Sequence, residues 1–282
     1  MEKEIYKTLA YADIFNYPLT GNQIFHTVGI KVRRKKFLSN LQKIPHEIHS
    51  NLLYYFLPGR EEIVRLRMEK EKYSQSKIKK AKKIISLLSW IPTIRFIGIS
   101  GSVAMHNAEK KSDIDLFFIT LPYSVWITRL LIYCVLELLG LRRRKGHSTR
   151  DSICANMFVD EDHLRFPIQK RNLYLAHEIV QLFPVVNKNN TYEKFVLANV
   201  WIQNYFPNYP IRNPFGRLRT RNKEFSFSLF LFPLEFFMRN MQLWYMEKSK
   251  TRETTTPSLI AFHPIDYESQ ILNAYTKKIK NI

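Results

Sequence analysis

The stretch Ile94-Arg-Phe-Ile-Gly-Ile-Ser-Gly101-Ser102-Val-Ala-Met-His-Asn-Ala-Glu-Lys-Lys-Ser-Asp113-Ile-Asp115-Leu-Phe-Phe-Ile-Thr120 decides the fold. Its apolar run Ile94 to Ile99 predicts a buried strand, Gly101-Ser102 breaks it, Val103 to Ala108 fits a short helix, and Asp113 to Thr120 returns to strand. Side chains alternate across a strand. Asp113, Asp115 and Phe117 therefore share one face, while Ile114, Leu116 and Phe118 point the other way, toward a core. The two carboxylates then sit side by side, roughly 7 Å apart at the backbone.

Paired carboxylates of this kind suit a divalent ion held together with a polyphosphate. Mg²⁺ takes oxygen ligands and binds through one or two carboxylates plus substrate phosphates, and in paired sites the two ions lie about 3.5–4 Å apart. Gly101 has no Cβ and lets a phosphate approach the backbone, and Ser102 begins a helix whose free N–H groups favour an anion. The whole pattern of apolar strand, Gly101-Ser102, a spacer of about ten residues, and Asp113-Ile-Asp115 between apolar flanks resembles the nucleotidyltransferase superfamily of DNA polymerase β, kanamycin nucleotidyltransferase and the CCA-adding enzymes.

The resemblance implies an α+β fold with a polymerase-β-like core, a mixed sheet with helices. It implies metal-dependent transfer of a nucleoside monophosphate from an NTP, ATP foremost, to an acceptor, with release of pyrophosphate. Asp113 and Asp115 would hold Mg²⁺ or Mn²⁺, and Gly101 and Ser102 would bind the terminal phosphates. The layout is also similar to that of stand-alone microbial nucleotidyltransferases.

In that superfamily a third carboxylate often stands on the following strand and helps activate the attacking hydroxyl. Here the next predicted strand, Ser152 to Val159, carries Asn156 instead, which offers a carbonyl oxygen but cannot take a proton at neutral pH. Asp151, Asp160, Glu161 and Asp162 stand at the strand ends. Three readings are open: an end carboxylate substitutes, the base comes from elsewhere, or the site works poorly. Glu178 is a candidate base, because some antibiotic nucleotidyltransferases take theirs from a glutamate in a helical C-terminal domain; the alternative is a salt bridge or a helix surface. His177 beside it reads as a packing residue or a shuttle. Arg143, within the basic loop Arg142 to His147, reads equally as a residue that clamps a triphosphate or steers an acidic substrate, or as one of the cations that close a helix C-terminus.

Composition sets the frame. The chain has 282 residues, 45% of them hydrophobic and 14% aromatic, enough for two or three small domains with ample cores. A formal charge of +20 points to an anionic partner: nucleic acid, a membrane surface or a polyphosphate. The two cysteines, Cys134 and Cys154, have no ligand-like neighbours in sequence and fit a reduced, cytoplasmic protein. The start lacks the apolar core of a signal peptide. The longest apolar run, Val125 to Leu141, is interrupted by Arg129 and Glu137 and falls short of the ~20 residues that a spanning helix needs, so it reads as a buried helix.

Four regions are expected. Residues 1–60 read as a winged-helix-like module: a helix ending near Asn16-Tyr17-Pro18, a second opened by the capping box Thr20-Gly-Asn-Gln23, a third from Val32 to Leu41, and a hairpin from His49 to Leu57. Its basic run Lys31 to Lys36 suggests DNA or RNA contact, although such modules also serve in dimerisation or docking. Residues 61–89 form a charged connector helix whose Lys77 to Lys83 cluster reads as a wet face or a nucleic-acid track. Residues 90–166 form the core, and 167–282 a helical C-terminal region in which Pro184 ends a helix. There, Leu234, Phe237 or Phe236, Met238, Met241 and Tyr245 make a stripe at helical spacing that reads as core or dimer surface, with a membrane-interface helix the weaker alternative. The competing function is a nucleic-acid-binding regulator whose nucleotidyltransferase fold senses a nucleotide and is catalytically weak.

Overall fold

The computed structural model describes residues 1–49, 52–143, 150–211, 223–247, 254–255, 259–261 and 267–280. It is an α+β structure built on a mixed sheet with helices. The chain opens with α1 (Glu2–Asp13), β1 (Leu19–Thr20), α2 (Gly21–Thr27), α3 (Arg34–Leu41), β2 (His46–His49) and β3 (Leu52–Tyr55). The three strands form a small antiparallel sheet in the order β1-β3-β2 around a core of Ile5, Leu9, Ile24, Phe37 and Leu41. The capping box at Thr20 is present in both directions: the Thr20 side chain accepts from Gln23 N, and the Gln23 side chain accepts from Thr20 N at 2.9 Å. The hairpin begins three residues before the expected His49, because His46 pairs with Tyr55 and closes the ladder over the module core.

Helix α4 (Glu62–Leu88) then leads into the main sheet of β4 (Ile94–Ser100), α5 (Gly101–Ala104), β5 (Ile114–Thr120), α6 (Val125–Leu138) and β6 (Ile153–Asp160). Next come α7 (Leu173–Gln181), β7 (Phe183–Asn187), α8 (Thr191–Ala198), α9 (Lys223–Glu247), β8 (Thr254–Thr255), β9 (Leu259–Ala261) and α10 (Tyr267–Ile279). The strand order is β7-β4-β5-β6-β9-β8, with β5 and β6 parallel and the other neighbours antiparallel.

Alternation along β5 divides the two cores as the sequence predicts. Ile114, Leu116 and Phe118 enter the layer formed with α4 and α6, and Phe117 and Ile119 enter the opposite layer with α7 and α8. Both faces of the central strands are therefore covered, which is why they read as nearly continuous apolar runs.

The region expected to be helical, 167–282, departs from that expectation by contributing β7, β8 and β9 to the sheet. Pro184 lies inside β7, opposite Gly98, rather than ending a helix. Proline cannot donate to a ladder and is tolerated on an edge strand, which is what β7 is. Within the Val125 to Leu141 run, Val125–Leu138 forms α6, buried along one side through Trp126, Ile132 and Leu136. Among the described residues, no helix is long and apolar enough to cross a membrane.

Candidate functional site

Asp115 lies at the start of β5 between two neighbours that its sequence position does not reveal. It pairs with Ser100 of β4 on one side and with Cys154 of β6 on the other. Carboxylate oxygens of Asp113 and Asp115 and the Cys154 sulfur all come within 4.8 Å of one another, and these three residues can hold a metal ion. The reading of Cys154 as having no ligand-like neighbours is thereby corrected. A parallel pairing across the long β5–β6 connection brings it to the site, and no local pattern encodes that register.

Gly101 has φ +62, a conformation that L side chains rarely adopt, and a Cβ there would lie 2.9 Å from Asp115 Oδ2. Glycine is needed both for the turn from β4 into α5 and for the space beside the carboxylate. Ser100 Oγ, buried at the same turn, has no hydrogen-bond partner among the described residues. Helix α5 is a single turn, shorter than the Val103 to Ala108 helix expected, so an anion would meet individual N–H groups of this turn and gain little from a helix dipole.

Burial, followed by the neighbouring Asp113 charge, pushes the Asp115 carboxyl up to about 7. Burial, then the charges of Asp115 and Asp113, raises the Cys154 thiol to about 12. Arg143 Nη1 stands 2.7 Å from Asp113 Oδ2 as an ion pair and 3.8 Å from Cys154 Sγ. It therefore reaches the carboxylate pair. Residues 144–149 of the same loop lie outside the described residues.

The expected end carboxylates do not converge here. Asp151 pairs with Lys77, Asp160 accepts from Tyr123 N and Asp162 N, and Glu161 pairs with Lys194. Asn156 is the extra residue of a bulge in β6, between the pairs Leu116–Ala155 and Phe117–Met157. It lines a cavity of about 770 Å³ together with Gly101, Ser102, Asp113, Asp115 and Arg143.

Glu178 lines the same cavity from α7, and burial pushes its carboxyl up to about 7. His177 also borders the cavity, but its ring is held in packing. Its ring stacks on Tyr11 at 3.8 Å and lies edge-on to Phe206, and burial lowers it to about 3, so it stays neutral.

Sequence reasoning missed two supports. Lys77, whose cluster reads as a wet face or a nucleic-acid track, is 3% exposed. Its Nζ donates to Lys110 O at 3.2 Å, Ser112 O at 2.7 Å and Asp151 Oδ1 at 2.7 Å, fastening the loop that delivers Asp113. A lysine in register with Ser74, Ile78 and Ala81 on the inner face of α4 was the available signal. The other is the N-terminal module, whose Tyr11, Gln23 and His26 form a wall of the cavity. It is held there by Asn107 Nδ2 donating to Phe15 O, by Lys31 Nζ donating to Pro207 O, and by the Lys278–Asp13 ion pair.

No family model matches the chain, and no curated protein matches it. Among solved structures, one described as "Crystal structure of the toxin-antitoxin with AMP-PNP" is similar at 17% identity and a TM-score of 0.29, over 43% of this chain and 85% of that one. A likeness of that size carries no argument about this chain.

Proposed function

We propose that this chain is a metal-dependent nucleotidyltransferase that moves a nucleoside monophosphate from an NTP, ATP foremost, to an acceptor hydroxyl inside the cleft. The observation that carries this reading is the convergence of the paired carboxylates Asp113 and Asp115 on a cavity that also holds Gly101, Ser102 and Glu178. The carboxylates fit a divalent cation, Mg²⁺ or Mn²⁺, with Asp113 and Asp115 as the oxygen ligands, and the Gly101 turn leaves the space beside Asp115 that a Cβ would fill. When bound, the ion would neutralise charge on the triphosphate.

The chain's own residues do the rest. Gly101 and Ser102 receive the terminal phosphates, and Arg143 adds a cation on the same side. The acceptor oxygen forms its bond to the α-phosphorus as the bond from that phosphorus to the bridging oxygen of pyrophosphate breaks. Glu178 takes the acceptor's proton, and its raised carboxyl is poised near neutral pH for that exchange. This fills the role that Asn156 cannot.

The order of elements α1-β1-α2-α3-β2-β3, with the three-stranded sheet, supports the reading of residues 1–60 as winged-helix-like. Residues 61–89 then act as connector, and the core of 90–166 is completed by β7 from the C-terminal region. In this arrangement the module shapes the acceptor side of the cleft. A second reading, nucleic-acid binding, draws on the exposed cations Arg33, Arg34, Lys35 and Lys36 at the start of α3. It requires an affinity for duplex DNA or RNA that falls steeply with salt.

Calorimetric titration with a non-hydrolysable NTP analogue tests the primary reading. Mn²⁺ should tighten analogue binding at least roughly tenfold, and Asp113→Asn should abolish that gain. Equal metal dependence in the variant would refute the assignment of Asp113.

A further inference from the structure

Helix α9 is seated by its polar residues. Glu235 accepts from Trp126 N at 2.8 Å and Ile127 N at 3.0 Å, capping the first turn of α6, and Gln242 donates to Trp126 O at 2.8 Å and accepts from Arg129. Glu235 and Gln242 are seven residues apart and buried, so they mark the inner face. At about 100° per residue, Phe237, Met241 and Trp244 fall on the opposite side.

That outer side is apolar and open to solvent. Phe236, Phe237, Trp244 and Tyr245 are each more than half exposed, and Leu138 at the end of the adjoining α6 is 88% exposed. Of the stripe that the sequence suggested as core or dimer surface, Met238 packs against the core, whereas Leu234, Phe236, Phe237, Met241 and Tyr245 are exposed. A helix that is apolar on its solvent side needs a cover, and contiguous apolar patches of this kind mark interaction sites.

We infer that the outer face of α9, extended by the exposed end of α6, docks on an anionic membrane surface. Charge selects this occupant. A second copy would bring one net charge of +20 against another, whereas an anionic bilayer attracts it. The sequence places cations on both flanks of the aromatic stretch, with Arg217, Arg219, Arg221 and Lys223 before it and Lys248, Lys250 and Arg252 after it. Aromatic side chains bordered by Lys and Arg are the composition of a helix lying in the interface. The face lies on the membrane and does not cross it, since among the described residues no helix is long and apolar enough to span one. The inference is independent of the catalytic reading.

The test is sedimentation of the full chain with vesicles of phosphatidylcholine alone and of phosphatidylcholine containing phosphatidylglycerol. The chain should pellet with the second and weakly with the first, and added salt should reduce the bound fraction. The double variant Phe236→Ser, Phe237→Ser should bind roughly tenfold or more weakly with its melting temperature unchanged, because both side chains face solvent. Quenching of the unaltered chain's tryptophan fluorescence by brominated acyl chains gives a readout that does not depend on the variant folding. Absence of pelleting with either vesicle, equal binding by chain and variant, or a gel-filtration dimer that the variant dissociates while vesicles go unbound would each overturn the inference.

Discussion

Replacing Lys77 with methionine keeps the length of the side chain and removes its charge. In the folded protein the Lys77 ammonium is buried and serves two backbone carbonyls, of Lys110 and Ser112, and the Asp151 carboxylate. Removing one partner of a buried pair costs about 3–5 kcal/mol. Asp151 keeps part of its hydration, its side chain being 30% exposed, and Lys80 remains 3.8 Å away, so the expected loss falls below that range, about 2–3 kcal/mol. For a chain of this size that lowers the melting temperature by roughly 3–5 °C.

The loss has a pH signature. Burial alone would raise Asp151, but the hydrogen bond and charge of Lys77, with Lys80 and Arg150, outweigh it and hold the carboxyl below its usual range. A depressed carboxyl contributes stability above its unfolded value of ~3.9, and that stability disappears as pH falls through the lower folded value. The gap between Lys77→Met and the parent should therefore be full at pH ~7 and close in the acid range. Scanning calorimetry across pH, with Asp151→Asn and the double variant completing a cycle, measures it. A Lys77→Met protein that melts within about 1 °C of the parent at neutral pH would refute the reasoning. So would single-variant losses that simply add, since residues in contact should couple.

Three further outcomes follow from the site. Asp115→Asn should melt higher than the parent at pH ~8 in a chelator and about the same at pH ~4: a carboxyl raised to about 7 makes the folded state bind more protons than the unfolded one, so stability falls as pH rises through that window. Thermal melts at the two pH values check this. Glu178→Gln should lower the transfer rate by roughly 10²-fold or more and flatten the rise in kcat/KM through pH ~7, read from a pH–rate profile. Gly101→Ala should weaken Mn²⁺ binding by at least about tenfold, measured by calorimetry, because its Cβ meets Asp115 Oδ2 at 2.9 Å and its φ of +62 strains any L residue.

What could be read from the sequence was what local physics fixes. The alternation around Asp113 and Asp115, the Gly101 turn, the Thr20 capping box and the long α4 all depend on neighbours within a few residues, and each stands in the structure. What escaped depends on register between distant segments. Cys154 reaches Asp115 only through a parallel pairing, and Asn156 leaves the ladder because the strand bulges there. Pro184 looked like a helix stop because proline also ends helices, and only the position of β7 at the sheet edge distinguishes the two uses. The stripe on α9 has helical spacing whichever way the helix faces. Its orientation is set by two polar residues that bind α6, a contact between segments more than a hundred residues apart.

The central claim is transfer of a nucleoside monophosphate at Asp113 and Asp115, and labelled ATP tests it most directly. The purified chain is incubated with Mg²⁺ or Mn²⁺ and a small-molecule cell extract, with the label on the α-phosphate in one arm and on the γ-phosphate in the other. The account predicts metal-dependent incorporation of the α label alone, with pyrophosphate released, and its loss in Asp113→Asn. Incorporation of the γ label, or undiminished incorporation by the variant, would contradict it.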